Sequence, residues 1–144
     1  MNEAWIIAAL RTSVGRYAGA LKDTRPDDLA AHIIRALVDR TGIAPQDITD
    51  VYLGCANQAG EDNRNVARMS SLLAGLPVEI PAVTVNRLCG SGLEAVNQAA
   101  RAAMLGEGEI FIAGGVESMT RAPFAFAKSE TGFARQPPQV WDTT

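Results

Sequence analysis

Cys89 is the residue whose type and setting could do chemistry. It stands in the run Val85-Asn86-Arg87-Leu88-Cys89-Gly90-Ser91-Gly92-Leu93-Glu94-Ala95-Val96. A short β-prone stretch, Ala82 to Leu88, delivers it onto the first residues of an alanine-rich helical stretch. Unpaired backbone N–H groups and the macrodipole favour an anion at a helix N-terminus. A thiolate so placed is a usable nucleophile near neutral pH. Gly90 and Gly92 remove side chains beside the sulfur, so a bulky acyl group could approach the backbone.

Three readings of this run compete. The plainest is a buried cysteine at a tight strand-to-helix turn, since cysteine is among the most buried residue types. The second is a dinucleotide site: Gly90, Gly92 and Ala95 match the G-x-G-x-x-A fingerprint after a strand, with Glu117 as the ribose acid. The third, a hydrolase nucleophile elbow, needs Gly two residues before the nucleophile, where Arg87 stands.

A wider window separates them. The run around Cys89, followed by Ile112-Ala113-Gly114-Gly115-Val116-Glu117-Ser118-Met119-Thr120-Arg121-Ala122-Pro123, resembles the thiolases. So do the opening, Ile6-Ile7-Ala8-Ala9-Leu10-Arg11-Thr12-Ser13-Val14-Gly15-Arg16, and Gly54-Cys55-Ala56-Asn57-Gln58-Ala59-Gly60 with Asn63-Arg64-Asn65-Val66-Ala67-Arg68. The resemblance covers essentially the whole chain in order. It extends to bacterial acyl-CoA acyltransferases, including those acting on β-ketoadipyl-CoA.

The resemblance implies that Cys89 carries the acyl group as a thioester. It implies thiolysis of a 3-ketoacyl-CoA, or the reverse Claisen condensation, in fatty-acid or aromatic-compound breakdown. Coenzyme A is a substrate, and no metal or redox cofactor is required. A homodimer or homotetramer is implied for the complete protein. The family's second half carries a Gly-His-Pro and a Cys-x-Gly-Gly-Gly motif, and neither occurs here. The chain therefore reads as an N-terminal portion, residues 1–121 forming a thiolase half-domain and 122–144 the start of a loop domain. On its own it is expected to be catalytically silent and to expose apolar surface. Two other readings remain beside this one: a non-catalytic fragment that docks to a partner chain, and the dinucleotide-binding domain.

The elements that must position Cys89 alternate strand and helix. Ala4 to Leu10 is a nearly continuous apolar run, as in a buried parallel strand. A helix follows, with Thr24 as cap, Asp27 three residues on, and Leu29, Ile33, Ala36 and Leu37 on one face up to Gly42. Asp50 to Ala56 reads as a second strand. Asn65 to Ala74 reads as a helix through Val66, Met69 and Leu73. The third strand precedes Cys89, the next helix runs to about Leu105, and Ile110 to Ala113 is the fourth strand. Repeated strand–helix–strand units predict an α/β fold, a mostly parallel sheet covered by helices. Past Pro123 the pattern dissolves into an irregular excursion through Lys128-Ser129-Glu130-Thr131-Gly132 and Pro137-Pro138.

Composition narrows the classes. With 47% hydrophobic and 20% charged residues, 144 residues can bury one core. A net charge of −3 gives no nucleic-acid footprint. No apolar run approaches the ~20 residues of a membrane span, and no basic leader precedes the first apolar run, so the sequence reads as cytoplasmic. Two cysteines make no disulfide framework. Cys55 reads as a small core residue inside a strand. His32, the one histidine, reads as a surface or helix-packing residue. Asn86 and Arg87 are candidates for holding the turn or meeting a neighbouring subunit. Gly114, Gly115, Glu117, Ser118 and Met119 read either as a close-packed turn or as cavity lining. Arg11, Arg16, Arg64 and Arg68 could meet coenzyme A phosphates, though solvated charge is the default. The aromatics between Pro123 and Trp141 could anchor contacts between chains or pack under their own loop.

Overall fold

The computed structural model describes residues 2–57, 60–61, 64–130, 132–133 and 136–144. Gln58, Ala59, Asn63 and Thr131, which belong to the motifs and loop singled out above, lie outside the described residues. The elements run α1 (Pro26–Thr41), a 3-10 turn (Pro45–Asp47), β1 (Asp50–Gly54), α2 (Val66–Ala74), β2 (Ala82–Val85), α3 (Ser91–Leu105), β3 (Phe111–Gly115), β4 (Phe124–Phe126) and β5 (Val140–Asp142). β1 lies between β2 and β3, and both pairings are parallel.

Alternation along β1 sorts the layers. Val51, Leu53 and Cys55 join a core with Ala30 and Ile34 of α1 and Val66 and Ala67 of α2. The intervening Gly54 meets the start of α3 instead. Helices α1 and α2 therefore cover one face of the sheet and α3 the other. Val51, Val66 and Ile34 are almost wholly enclosed, and each such side chain contributes roughly 1.5–3 kcal/mol by leaving water.

Local chemistry sets the helix limits. Pro26 opens α1, Asp27 and Asp28 occupy its first turn and Arg40 its last. α2 is capped by Asn65, whose side chain accepts from the Arg68 N–H at 3.0 Å. Arg68 in turn donates to the carbonyls of Ile80 and Val78 at 2.6 and 2.9 Å, so it clamps the turn before β2.

Several sequence expectations are corrected. Thr24 does not cap α1; Arg25 stands at the N-cap and makes no side-chain capping bond. Arg25 instead forks onto Asp27, at 2.9 and 2.5 Å, and Asp27 is fully enclosed. The buried stripe of α1 is Ala30, Ala31 and Ile34, rotated from the expected Leu29, Ile33, Ala36 and Leu37, because α1 packs on α2 rather than squarely on the sheet. On α2 the enclosed residues are Val66, Ala67, Ser70 and Ser71, while Leu73 is exposed. β1 ends at Gly54 rather than Ala56, β2 ends at Val85 rather than Leu88, and β3 is shifted from Ile110–Ala113 to Phe111–Gly115. The excursion after Pro123 holds a short antiparallel pair, Phe124–Phe126 with Val140–Asp142. Ala4 to Leu10 forms no strand, and Trp5, Ile6 and Ile7 are exposed. Strand composition alone cannot make a strand; a neighbouring backbone must accept and donate along the ladder. Among the described residues this segment finds no ladder partner, and the bond from the Asn2 N–H to the Met104 carbonyl lies just ahead of it.

A second fork ties the loop after β1 to the loop after β3. Arg121 grips Glu61 at 2.6 and 2.7 Å, and Arg25 donates to the Glu61 carbonyl at 2.7 Å. The Arg121 hydrogen bonds hold the Glu61 carboxyl below its ordinary value of 4.5, against the opposing effect of partial burial. A carboxyl lowered in the folded state contributes stability that is fully present above its unfolded value and is lost as pH falls through its folded value. Thermal melting of the protein and of Glu61→Gln should therefore differ at pH 7. The difference should shrink as pH is taken below 4.5; a gap that stays constant down to strongly acid pH would contradict the assignment.

Candidate active site

The carboxyl ends of the three parallel strands converge on one rung, Val85–Gly54–Gly115. The segments that follow them, Cys55 to Asn57, Asn86 to Cys89 and Val116 to Ser118, share that edge of the sheet. This is where open α/β sheets place their ligands.

Cys89 reaches this edge because α3 seats unusually close to the sheet. A Cβ on Gly54 would sit far inside van der Waals contact with the Ser91 carbonyl carbon and the Gly92 nitrogen. One on Gly115 would lie 2.8 Å from the Gly54 oxygen and 3.2 Å from Gly92 Cα. Any side chain at Gly54 would thus lift the helix start off β1.

Helix α3 begins later than the sequence suggests. Gly90 is the N-cap and Ser91 the first helical residue, so Cys89 sits one residue ahead of the cap, on the turn itself. The turn is over-determined. Its Leu88 has φ +50°, a left-handed conformation that is costly for a leucine. Asn86 Oδ1 accepts from the Leu88 N–H at 2.9 Å. The enclosed Ser91 hydroxyl accepts from the Arg87 N–H at 2.8 Å and donates to the Leu88 carbonyl at 2.6 Å. The Gly90 and Ser91 N–H groups close back on the Arg87 and Leu88 carbonyls at 3.0 and 3.1 Å. Cys89 itself is exposed.

Glu94 was not singled out in the sequence, yet it anchors this turn to α3. It is 9% exposed, and its Oε2 lies 2.8 Å from Arg87 Nη1. Gln98 and Arg101 approach Oε1 at 3.2 and 3.3 Å. The Gln98 hydrogen bond, with Arg87 and Arg101 beside it, holds Glu94 below the ordinary carboxylate range in spite of burial. The signal was legible as spacing: Glu94, Gln98 and Arg101 stand at i, i+4 and i+7 of one helix.

The remaining candidates fall as follows. Cys55 lies just past β1, 3% exposed, in the main core. Its thiol donates to the Asn57 carbonyl at 3.3 Å and lies 3.6 Å from Glu117 Oε1. Glu117 accepts from the Ala56 and Asn57 N–H groups at 2.7 and 3.3 Å. A small cavity between Cys55, Asn57, Glu61, Glu117 and Arg121 borders these groups, and Cys89 does not line it. Arg87 is committed to Glu94 and Arg68 to backbone carbonyls. Arg11 and Arg16 are exposed, and His32 is on the exposed side of α1. Gly92, of the nucleotide fingerprint, serves helix–sheet packing, and Glu117 is engaged by backbone amides rather than presented to a ribose.

A three-layer α/β arrangement with a cysteine on the turn between a parallel edge strand, β2, and the helix that follows it is the architecture of a thiolase N-terminal domain. The thiolase N-terminal domain family matches residues 4–143, and the chain belongs to that family. It is 58% identical over 145 residues to the β-ketoadipyl-CoA thiolase of Acinetobacter baylyi. It is 57% identical over 145 residues to the 3-oxoadipyl-CoA/3-oxo-5,6-dehydrosuberyl-CoA thiolase of Escherichia coli K12. Each alignment spans 100% of this chain and 36% of the relative. The crystal structure of the Bacillus anthracis acetyl-CoA acetyltransferase superposes with a TM-score of 0.82 at 36% identity, over 90% of this chain and 32% of that one.

Two outcomes follow from this geometry. In the folded protein, iodoacetamide at neutral pH should modify Cys89 well before Cys55, as read by peptide mass spectrometry; preferential labelling of Cys55 would contradict the placement. Gly54→Ala should lower stability by about 3 kcal/mol or more through overpacking against α3, measured by urea unfolding, and an unchanged midpoint would contradict the close seat of the helix.

Proposed function

We propose that the protein carrying this chain is an acyltransferase of the thiolase type and that Cys89 is its nucleophile. The observation that carries this reading is Cys89 exposed on a rigid turn at the carboxyl edge of the sheet, immediately ahead of the α3 N-terminus. In the proposed reaction the Cys89 thiolate attacks the 3-keto carbon of a 3-ketoacyl-CoA. The bond between C2 and C3 breaks, acetyl-CoA leaves as its enolate and takes up a proton, and the acyl group remains as a thioester on sulfur. Coenzyme A thiolate then attacks that thioester, releasing acyl-CoA and the free cysteine. Reversal of the steps is a Claisen condensation. The Gly90 and Ser91 N–H groups close the turn, so the donor proposed for the developing oxyanion is the amide of Cys89 itself.

No base for Cys89 is proposed among the described residues. Glu94 and Glu117 already accept from several donors, and His32 stands on α1, beyond the sheet from α3. Because the chain spans 36% of the matched relatives, the base and the partner thiol are assigned to the part of the protein beyond these residues. Residues 1–121 are read as the half-domain and 122–144 as the start of the loop domain, since among the described residues β4 and β5 pair only with each other. The names of the relatives support β-ketoadipyl-CoA as the first substrate to test. Coenzyme A enters as a substrate, with no metal or redox cofactor. Exposed Phe124, Phe126, Val140 and Trp141 support assembly as a homodimer or homotetramer. Among the described residues no helix is long and apolar enough to cross a membrane, and the cytoplasm is the proposed compartment, since two cysteines make no disulfide framework.

In the complete protein, Cys89→Ser should nearly abolish thiolysis while leaving the fold intact, because the hydroxyl matches the thiol in size but is far less ionised. Loss of 3-ketoacyl-CoA absorbance on adding coenzyme A is the assay. Turnover retained near the wild-type level would overturn the nucleophile assignment.

A further inference from the structure

The turn that presents Cys89 is held at its far end by a carboxylate that does not touch it. Glu117 follows β3, and its two oxygens collect the Ala56 and Asn57 N–H groups, 2.7 and 3.3 Å away. Those amides belong to the segment that leaves β1. The carbonyl of the same Ala56 accepts from Asn86 Nδ2 at 2.8 Å. Asn86 Oδ1 then accepts from the Leu88 N–H at 2.9 Å, the bond that helps hold Leu88 at φ +50° next to Cys89. The chain of contacts thus runs from β3, across the end of β1, to the nucleophile turn after β2.

We propose that Glu117 is a positioning residue for Cys89, acting through Ala56 and Asn86 on the Leu88 turn; this rests on the reading of Cys89 as the nucleophile. The physical case is that each link fixes the next. A carboxylate accepting two backbone N–H groups makes charge-assisted bonds, roughly twice as strong as neutral ones. With Ala56 fixed, its carbonyl has one direction in which Asn86 can meet it. Asn86 is then held with its amide oxygen toward Leu88, the orientation that favours an otherwise costly backbone conformation. Without Glu117 the Ala56–Asn57 segment loses two acceptors, Asn86 loses a fixed partner, and the turn can relax toward φ below zero, moving the sulfur. Misplacement of a reacting atom by about 1 Å can cost on the order of 100-fold in rate.

The test uses the complete protein with Glu117→Ala, Glu117→Gln, Asn86→Ala and the double variant Glu117→Ala/Asn86→Ala, with rates normalised to folded protein. Glu117→Ala and Asn86→Ala should each lower kcat by roughly 10- to 100-fold with KM little changed. Glu117→Gln keeps one oxygen for the Ala56 N–H and should recover most of that loss. The double variant should be no slower than the slower single one, because both changes break one chain of contacts. If Glu117→Ala does not fold, Glu117→Asp replaces it, keeping the charge but falling a methylene short of both amides. Wild-type kcat in Glu117→Ala (or in the Glu117→Asp that replaces it), or losses that multiply in the double variant, would overturn the proposal. Cys89→Ser measured alongside separates the two readings. If it still turns over, the nucleophile assignment fails; if it is dead while the Glu117 variants match wild type, only the positioning role fails.

Discussion

The contact on which the rest depends is the side-chain-free junction of Gly54, Gly92 and Gly115. Helices normally stand off a sheet by the depth of the side chains between them. Here the first turn of α3 rests on the backbone of β1, with Gly115 of β3 completing the seat. That seat brings the loop ahead of α3 down to the level of the strand ends. It also explains why β1 and β3 finish in Gly54 and in Gly114-Gly115, residues with little strand propensity of their own. The sheet gives up local propensity at the point where it must admit the helix.

From that seat the Cys89 turn is braced in two directions. Toward α3, Arg87 reaches Glu94, and Ser91 ties Arg87 and Leu88 from below. Toward the sheet edge, Asn86 reaches Ala56. A leucine held at positive φ persists only where its surroundings outweigh its preference, and here the bonds fall on both sides of it. The Cys89 thiol is therefore exposed on a backbone turn held by several hydrogen bonds.

The sequence made the architecture and the place of Cys89 on a strand-to-helix turn legible and left much of that turn's support illegible, for physical reasons. Strand–helix alternation and the apolar run of β1 are periodic signals, so a mostly parallel sheet covered by helices could be anticipated. Element ends could not: the β-prone stretch reads on to Leu88, but the strand stops at Val85, where the hydrogen bonds of the turn take over. The buried faces of α1 and α2 were rotated because small residues, Ala30, Ala67 and Ser71, are enclosed where two helices pack closely, and hydropathy does not mark them. Ala4 to Leu10 has the composition of a strand, but ladder partners are a property of the fold, and the described residues provide none. Glu94 and Glu117 were legible as types. What each accepts from depends on backbone amides brought together across β1 and β3, which no spacing in one segment reveals.

The two carboxylates also show why acids near a cysteine need not be its bases. A base must have an oxygen within reach of the proton that it takes. Glu94 is surrounded by Arg87, Gln98 and Arg101, and Glu117 by two backbone amides with the Cys55 thiol beside it. Both are spent on geometry. Proximity alone would have nominated Glu117, which has a cysteine 3.6 Å away. That cysteine, however, is the enclosed Cys55, in the core and without access to substrate. Exposure therefore separates the two thiols: the one with an acid at hand is structural, and the one facing solvent is held by backbone and amide contacts that fix its position without accepting its proton.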